Sequence, residues 1–122
     1  MIDHMTLKVT DVGRAKRFYV EALKPLGYKI IMEFPEGVGL GVGGKPDFWI
    51  AKGEPAPKGI HIAFASPDRK TVDAFYKAAI AAGGRDNGPP GIRAHYHPNY
   101  YGAFVYDPEG NNTEAVCHRP EP

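Results

Sequence analysis

The sequence has one cysteine, no long apolar run and no excess of either charge, and each absence excludes a class of protein. A single cysteine, Cys117, cannot build a disulfide framework, which favours a reducing, cytoplasmic compartment and a small buried side chain. No apolar run approaches membrane-spanning length, and the first residues lack the pattern of a signal peptide. The 15 Lys+Arg and 14 Asp+Glu form no basic block, so neither nucleic acid nor a membrane is an expected partner.

Glycine and proline are plentiful instead, with 15 and 12 copies among 122 residues. Both residues interrupt regular structure, so this composition favours many short elements over a bundle of long helices. The length suits one domain that is large enough to bury a core. We therefore expect a single domain over residues 1–122.

An internal repeat organises this domain. At a shift of 57 positions the chain matches itself without a gap, and the matched pairs are His4 and His61, Asp11 and Asp68, Phe18 and Phe75, Tyr19 and Tyr76, and Gly27 and Gly84. Such density of identities at one shift indicates a duplicated structural unit. The repeat predicts module 1 over residues 1–57 and module 2 over residues 58–118.

Each module begins with a strand and a helix. Apolar residues alternate with His4 and His61 at the start of each strand, and apolar residues spaced by three and four then predict helices that end at Gly27 and at Gly83. Thr10 and Asp11 are expected to cap the first helix, and Ser66 before a proline is expected to cap the second.

Short strands follow each helix. They are predicted at residues 28–33, 37–42 and 47–51 in module 1 and at 92–96, 103–106 and 113–117 in module 2, with a loop at 83–91. The fold class is therefore α+β, with two βαβββ modules forming a curved, cleft-forming mixed sheet and the helices outside.

Two histidines and one carboxylate are candidate metal ligands. His4 and His61 occupy equivalent places in the repeat, and Glu114 lies inside an apolar strand, where an ionised carboxylate needs a partner. Together they suit a divalent ion such as Fe, Mn, Zn, Ni or Co. The alternative is that both histidines are merely hydrogen-bonded strand residues and that Glu114 is an exposed charge.

A second set of candidates lies between the helix of module 2 and the last hairpin. His95 and His97 are spaced to share one face and are candidate acid–base or clamp residues, with Tyr96 and Tyr101 beside them. The alternative is a surface loop whose aromatic rings support a dimer interface. Further candidate substrate contacts are Phe48 and Trp49 as apolar walls, either of which is alternatively core, and Arg93, which is alternatively a solvated strand end.

Four segments carry a family resemblance, namely IDHMTLKVTD, RFYVEALKPLGY, GIHIAF and YDPEGNNTEAV. They resemble the glyoxalase/bleomycin-resistance/extradiol-dioxygenase superfamily, also called vicinal oxygen chelate proteins, over nearly the whole chain. The resemblance implies paired βαβββ modules, a metal cleft and often a homodimer. It also implies that His4, His61 and Glu114 match ligand positions.

The chain departs from the family pattern at one ligand position. Relatives similar to glyoxalase I or methylmalonyl-CoA epimerase supply a fourth ligand from the last strand of module 1, and aligning GGKPDFWIA with PEGNNTEAV places Trp49 there. Tryptophan cannot bind a metal, and Asp47 is the nearest substitute. The remaining set of two histidines and one glutamate is similar to extradiol dioxygenases and metal-dependent fosfomycin-inactivating thiol transferases.

Two functions from different classes follow. The first is a divalent-metal-dependent enzyme that acts on a small oxygen-bearing substrate by lyase or isomerase, ring-cleaving or thiol-transfer chemistry, with His95 or His97 as the acid or base. The second is a metal-free protein of the bleomycin-resistance type that binds and sequesters a drug or metabolite. Titrating divalent ions while following thermal melting separates the two.

Overall fold

The computed structural model describes residues 1–121 and shows the predicted repeat of strands and helices. A 3-10 turn at Lys24–Leu26 follows the first helix. The elements are β1 Met5–Val9, α1 Val12–Ala22, β2 Lys29–Phe34, β3 Gly37–Gly41, β4 Phe48–Lys52, β5 His61–Ala65, α2 Arg69–Ala81, β6 Arg85–Ile92, β7 Tyr101–Tyr106 and β8 Asn112–Cys117. The α+β class and the order βαβββ in each half are thereby confirmed.

The strands form two mixed sheets of four, one from each half of the chain. Their orders are β1-β4-β3-β2 and β5-β8-β7-β6. In each sheet the first strand pairs with the last in parallel, and the other neighbours are antiparallel. The two orders are the same when β1 to β4 of the first half are matched with β5 to β8 of the second half. The duplication seen in the sequence is therefore also present in the topology. The curved sheet that we expected is thus divided into two separate halves.

Both helices begin at the aspartate that the repeat shares. The Asp11 carboxylate accepts a hydrogen bond from the backbone N–H of Arg14 at 3.0 Å, and Asp68 accepts one from Thr71 at 2.7 Å. Hydrogen bonds from Thr71 also lower the pKa of the Asp68 carboxyl. The prediction that Ser66 caps the second helix is wrong, because its hydroxyl donates to the backbone oxygen of Asp68 instead.

The predictions for two adjacent segments of module 2 are wrong. Residues 83–91 were expected to form a loop, yet most of them belong to β6, whose pairing with β7 has two irregularities. Prolines are tolerated there because β6 is an edge strand, whose outer side needs no N–H donors. Residues 92–96 were expected to be a strand, but Tyr96 donates its backbone N–H to the oxygen of Arg93 and closes a turn.

Aromatic rings join the two modules in one core. Tyr19 on α1 packs edge-on against Phe48 of β4 at 5.0 Å, and Phe48 packs against Phe64 of β5 at 5.3 Å between ring centres. Phe48 is only 1% exposed, so this candidate substrate wall is a core residue, as strand alternation requires once Trp49 faces the other way. Cys117 is buried, as expected.

The turn between β7 and β8 also fastens the modules together. The buried Tyr19 hydroxyl donates to the Asp107 carboxylate at 2.6 Å, and burial together with that carboxylate raises the pKa of Tyr19. The Glu109 carboxylate accepts the backbone N–H groups of Thr10 and Asp11 at 2.9 Å, at the start of α1. This turn of module 2 therefore docks on the first helix of module 1.

Each sheet keeps one face covered and one face open. The helix-side faces bury apolar residues such as Leu7 and Phe64, and α1 also contacts α2. The opposite faces carry Thr6 and Lys8 in the first sheet and His61 in the second, all exposed. No helix within residues 1–121 has the length and apolarity that crossing a membrane demands.

Candidate functional site

The open face of the second sheet brings two of the predicted ligands together. β5 and β8 are parallel neighbours, and Ala63 lies opposite Glu114 in their register. His61, two residues before Ala63, points to the same face, and its Nε2 lies 2.7 Å from Glu114 Oε1. The Glu114 side chain is 0% exposed, whereas that of His61 is 53% exposed. The buried Glu114 carboxylate therefore contacts an imidazole whose other side is exposed to solvent.

The second oxygen of Glu114 is held by a residue that the sequence analysis missed. Oε2 accepts a hydrogen bond from the hydroxyl of Tyr100, which precedes β7. Burial, followed by the hydrogen bond to Glu114, raises the pKa of Tyr100 well above its usual value, so the hydroxyl keeps its proton and donates. Nothing in the sequence distinguishes Tyr100 from its neighbour Tyr101, because only the loop geometry turns one of them towards Glu114.

His4 does not join this pair within one chain. It lies exposed just before β1 in the first sheet, and its Nδ1 is 2.8 Å from the carboxylate of Asp3, which Lys45 also contacts. The hydrogen bond from Lys45 lowers the pKa of Asp3. Residues 1–121 contain no group of three or more histidine, cysteine or acidic side chains able to hold a metal. The expected convergence of three ligands therefore fails in the single chain, because β1 and β5 belong to different sheets.

Trp49 occupies the matching place on the first sheet. Thr6 lies opposite Trp49 in the β1–β4 register, as Ala63 lies opposite Glu114 in the second sheet. The Trp49 ring stacks on Phe34 with 6.2 Å between ring centres and 17° between planes. The last strand of module 1 therefore presents an aromatic surface in place of a ligand.

The substitute ligand Asp47 is engaged elsewhere. Its carboxylate accepts a hydrogen bond from the hydroxyl of Tyr28 at 3.2 Å. It also lines a groove between the modules together with Tyr28 and Phe48. Asp47 therefore lies in this groove and not at the open-face position that Trp49 holds. It belongs to no group of three or more possible metal ligands within residues 1–121.

A cavity of about 350 Å³ opens beside His61. Three of the candidates from the 93–101 segment line it beside the histidine of the buried pair, namely Arg93, His95 and Tyr96. The His95 and Tyr96 side chains are in contact with each other. Their rings lie 4.2 Å apart between centres. The residues that line the cavity are His61, Asn87, Arg93, His95, Tyr96, Phe104 and Asn112.

Arg93 lines this cavity, but its guanidinium is used by the fold. Nη1 donates to the backbone oxygens of Gly91 and Gly102, and Nη2 donates to that of Pro89. The group also lies 5.2 Å from the ring centre of Phe104. Arg93 therefore ties the irregular strand β6 to β7, which leaves it fewer donors for a substrate than a solvated arginine has.

Two other candidates lie away from the cavity. His97 packs edge-on against His118 at 5.5 Å between ring centres, and its Nδ1 accepts the backbone N–H of Asn99. Tyr101 faces the helix side of the second sheet, where its hydroxyl donates to Asp73 at 2.6 Å. Neither side chain lines the cavity beside His61.

The buried pair carries donor atoms that a metal ion can use. Among the described salt bridges, Glu114 pairs only with His61, and no lysine or arginine neutralises it. A fully buried carboxylate is costly unless it is protonated, paired with an imidazolium or bound to a metal. Imidazole nitrogen and carboxylate oxygen are ligands that suit first-row divalent metals. These two residues therefore fit part of a metal site.

The fold, the repeat and this pair define a class of protein. A family model described as the Glyoxalase/Bleomycin resistance protein/Dioxygenase superfamily matches residues 1–115, and the chain belongs to this superfamily. No curated protein matches the chain.

Solved structures share the fold along nearly the whole chain. A glyoxalase/bleomycin resistance protein from Albidiferax ferrireducens is 30% identical, with a TM-score of 0.80 and coverage of 97% of this chain and 98% of that one. A family enzyme from Burkholderia phytofirmans is 21% identical, with a TM-score of 0.75 and coverage of 97% and 98%. A lactoylglutathione lyase from Agrobacterium tumefaciens is 19% identical, with a TM-score of 0.71 and coverage of 96% and 92%. The last two support the fold alone.

Proposed function

We propose that this chain is a divalent-metal-dependent enzyme whose site is completed by a second copy, with His61 and Glu114 from one subunit and His4 from the other. The observation that carries the proposal is the buried Glu114 carboxylate, which contacts His61 and Tyr100 but no lysine or arginine. An anion in such a place is stabilised most directly by a cation that also binds the neighbouring imidazole.

The need for a second copy follows from the separation of the two open faces. His4 stands before the edge strand of the first sheet, and its Asp3 hydrogen bond at Nδ1 leaves Nε2 free to bind a metal. The same sheet exposes Met32 and Phe34, by 45% and 55%, next to Trp49. Exposed apolar side chains on one sheet face are typical of a surface that another protein covers. A homodimer that covers this face with the second sheet of its partner would bring His4 to the buried pair.

The proposed substrate is a small molecule with oxygen atoms able to bind a metal. When bound, a divalent ion supplies Lewis acidity to such oxygens. His95 lines the cavity beside His61 and is the residue placed to move a proton, while Tyr96 and Phe104 offer apolar walls. Lyase or isomerase, ring-cleaving and thiol-transfer reactions all fit this arrangement, and assays should cover each of them.

A second candidate function is metal-free binding of a drug or metabolite. It is favoured by the stacked Trp49 and Phe34, which form an aromatic surface at the place where a ligand residue would otherwise stand. Flat aromatic surfaces bind planar apolar molecules through stacking and burial. In that case planar compounds would quench the fluorescence of Trp49, the single tryptophan of the chain, and no divalent ion would bind.

Thermal melting with a panel of divalent ions tests the choice between the two functions. A bound ion stabilises the folded state by mass action, so at least one ion should raise the melting temperature of the wild type. His61→Ala and Glu114→Gln should abolish that rise. No rise with any ion, together with no metal in protein purified without chelator, would contradict the enzyme proposal.

Mixed dimers test the part played by the second copy. His4→Ala and Glu114→Gln should each lose metal binding as homodimers. A heterodimer of the two variants, isolated through two different tags, has one doubly defective site and one intact site, because His4 and Glu114 come from different subunits at each. We expect it to regain half of the wild-type metal content. A heterodimer that binds no metal would show that each chain supplies its ligands alone.

A further inference from the structure

Glu114 has different partners on its two oxygens, and this asymmetry extends the proposed site. Oε1 faces His61 Nε2 at 2.7 Å, whereas Oε2 accepts the hydroxyl of Tyr100. Because the carboxylate is fully buried, these two contacts fix both its position and its rotation. The oxygen next to the imidazole and the oxygen next to the phenol are therefore not interchangeable.

The Tyr100 ring is itself held in place by packing. It meets the rings of Tyr96 and His118 edge-on, with 5.0 Å and 5.2 Å between centres. Gly102 leaves room for it, since a Cβ at that position would lie 3.1 Å from Cε1 of Tyr100 and 3.4 Å from Oε2 of Glu114. A larger residue at 102 would crowd both members of the hydrogen bond.

Backbone hydrogen bonds hold the loop that carries this ring. The N–H of Tyr100 donates to the oxygen of His97 at 3.0 Å, and the oxygen of Tyr100 accepts the N–H of Arg93 at 2.7 Å. The hydroxyl is thus directed at Glu114 by a closed loop, and placing it costs little further side-chain entropy.

A carboxylate with one oxygen occupied by a strong donor offers only the other oxygen to a metal. Without that donor, a glutamate can turn and bind through both oxygens, which fills a further coordination position. Hydrogen bonds to ligating carboxylates orient them, and losing such a partner typically weakens metal binding by about 10-fold to 100-fold. The number of positions left for substrate thus depends on what holds the second oxygen.

We propose that Tyr100 is a positioning residue for the metal ligand Glu114, which it restricts to binding through Oε1 so that a coordination position stays open for substrate. The inference rests on the proposed metal site and adds a residue outside the predicted ligand set. Tyr100 touches neither substrate nor metal in this role, and it acts only through the orientation of Glu114.

Cobalt(II) titration of the Tyr100→Phe variant tests this role. The substitution removes one hydroxyl and keeps the ring. We expect about 10-fold to 100-fold weaker cobalt binding and a changed intensity of the visible cobalt absorption, which responds to coordination number. Tyr101→Phe is the matched control, because its hydroxyl binds Asp73 on the opposite face of the sheet. It should keep both the affinity and the spectrum of the wild type.

The outcomes separate this inference from the proposed function. Wild type that binds no cobalt overturns both, whereas wild type that binds and Tyr100→Phe that matches it in affinity and spectrum overturn only the role of Tyr100. If Tyr100→Phe does not fold, Gly102→Ala replaces it, because its Cβ would lie 3.1 Å from Cε1 of the Tyr100 ring and crowd it while the hydroxyl remains. Wild-type affinity and spectrum in that variant would then overturn the inference.

Discussion

Trp49 occupies the position in the first sheet that corresponds to the position of Glu114 in the second sheet. Each lies on the last strand of its module, opposite the residue two positions after the repeated histidine. The duplication thus preserved the strand and the register but not the chemistry at this position. One half of the repeat retains a buried carboxylate, and the other retains an aromatic ring stacked on Phe34.

This correspondence predicts that a carboxylate at position 49 strengthens metal binding. If the first sheet of one subunit faces the second sheet of the other, Trp49→Glu adds a ligand at the matched position, and we expect about tenfold tighter binding, or about 1.4 kcal/mol. Trp49→Leu is the control that removes the ring without adding a ligand. Cobalt(II) or zinc(II) titration measures the difference, and equal affinities in the two variants would contradict the facing arrangement.

The Glu109 carboxylate is predicted to contribute to stability across the modules. It accepts the backbone N–H groups of Thr10 and Asp11, which otherwise lack partners at the start of α1. Glu109→Ala should lower the free energy of unfolding by about 1–2 kcal/mol, with Glu109→Gln between it and the wild type. Urea denaturation provides the measurement. Glu54 lines the same surface pocket as Thr10 and Glu109, and Glu54→Ala should stay close to wild type. A similar loss of stability in both variants would argue against a specific role of Glu109.

Gly84 is predicted to tolerate no side chain. A Cβ there would collide with Val105 and would lie 2.7 Å from Phe18 Cε1 and 2.8 Å from the backbone oxygen of Ala79. Gly84→Ala should therefore destabilise the fold by about 1–3 kcal/mol through overpacking. Gly13→Ala is the control, because its nearest neighbour would be at 3.5 Å and alanine favours the helix by about 0.5–1 kcal/mol. In urea unfolding we expect a lower midpoint for Gly84→Ala and a higher midpoint for Gly13→Ala than for the wild type. Equal midpoints in the two variants would refute the packing argument.

Ionisation of Tyr101 is predicted to cause part of the loss of stability at alkaline pH. Burial, with the hydrogen bond to Asp73, raises the pKa of Tyr101 to about 12 in the folded state. The unfolded chain therefore releases this proton first, near the usual pKa of about 10, and stability falls as the pH rises from about 10 to about 12. Below about pH 10 the contribution is fully present.

Tyr101→Phe lacks that proton, so its stability should fall less steeply than that of the wild type across this window. Urea midpoints at about pH 9 and about pH 11 measure the slope of each protein. The two proteins should differ more at the lower pH than at the higher one. A difference that stays constant between the two pH values would show that Tyr101 does not contribute through its ionisation.

Short-range pattern predicted much of the framework. Alternation predicted that His61 lies on the open face of its strand, the repeat matched Asp11 with Asp68, and alignment of the last strands of the two modules placed Trp49 opposite Glu114. Alternation depends only on the extended backbone, whose side chains point to opposite faces in turn, so it can be read directly from residue order. It did not decide which of Phe48 and Trp49 belongs to the core, and the structure assigns Phe48 to it.

Two of the failed predictions have different physical causes. Residues 83–91 look like a loop because of their glycines and prolines, yet pairing with β7 places most of them in an edge strand. Ser66 looks like a helix cap, but Asp68 takes that role while Ser66 binds its backbone. In the first case pairing with a distant strand overrides local propensity, whereas in the second a neighbouring side chain forms the cap.

The residue order by itself determined a duplicated α+β chain and the faces of the strands that it predicted, because these features depend on the repeat and on neighbours a few positions apart. The contact between His61 and Glu114 depends on the pairing of β5 with β8, since the two residues are 53 positions apart in the chain. Tertiary structure alone decided that His4 stays apart from His61 and Glu114, and that Tyr100 reaches the carboxylate where Tyr101 does not. The physical reason is that distances between sheets, and the direction of a loop side chain, depend on how α1, α2 and the turn around Glu109 pack. No periodicity in the sequence records that packing.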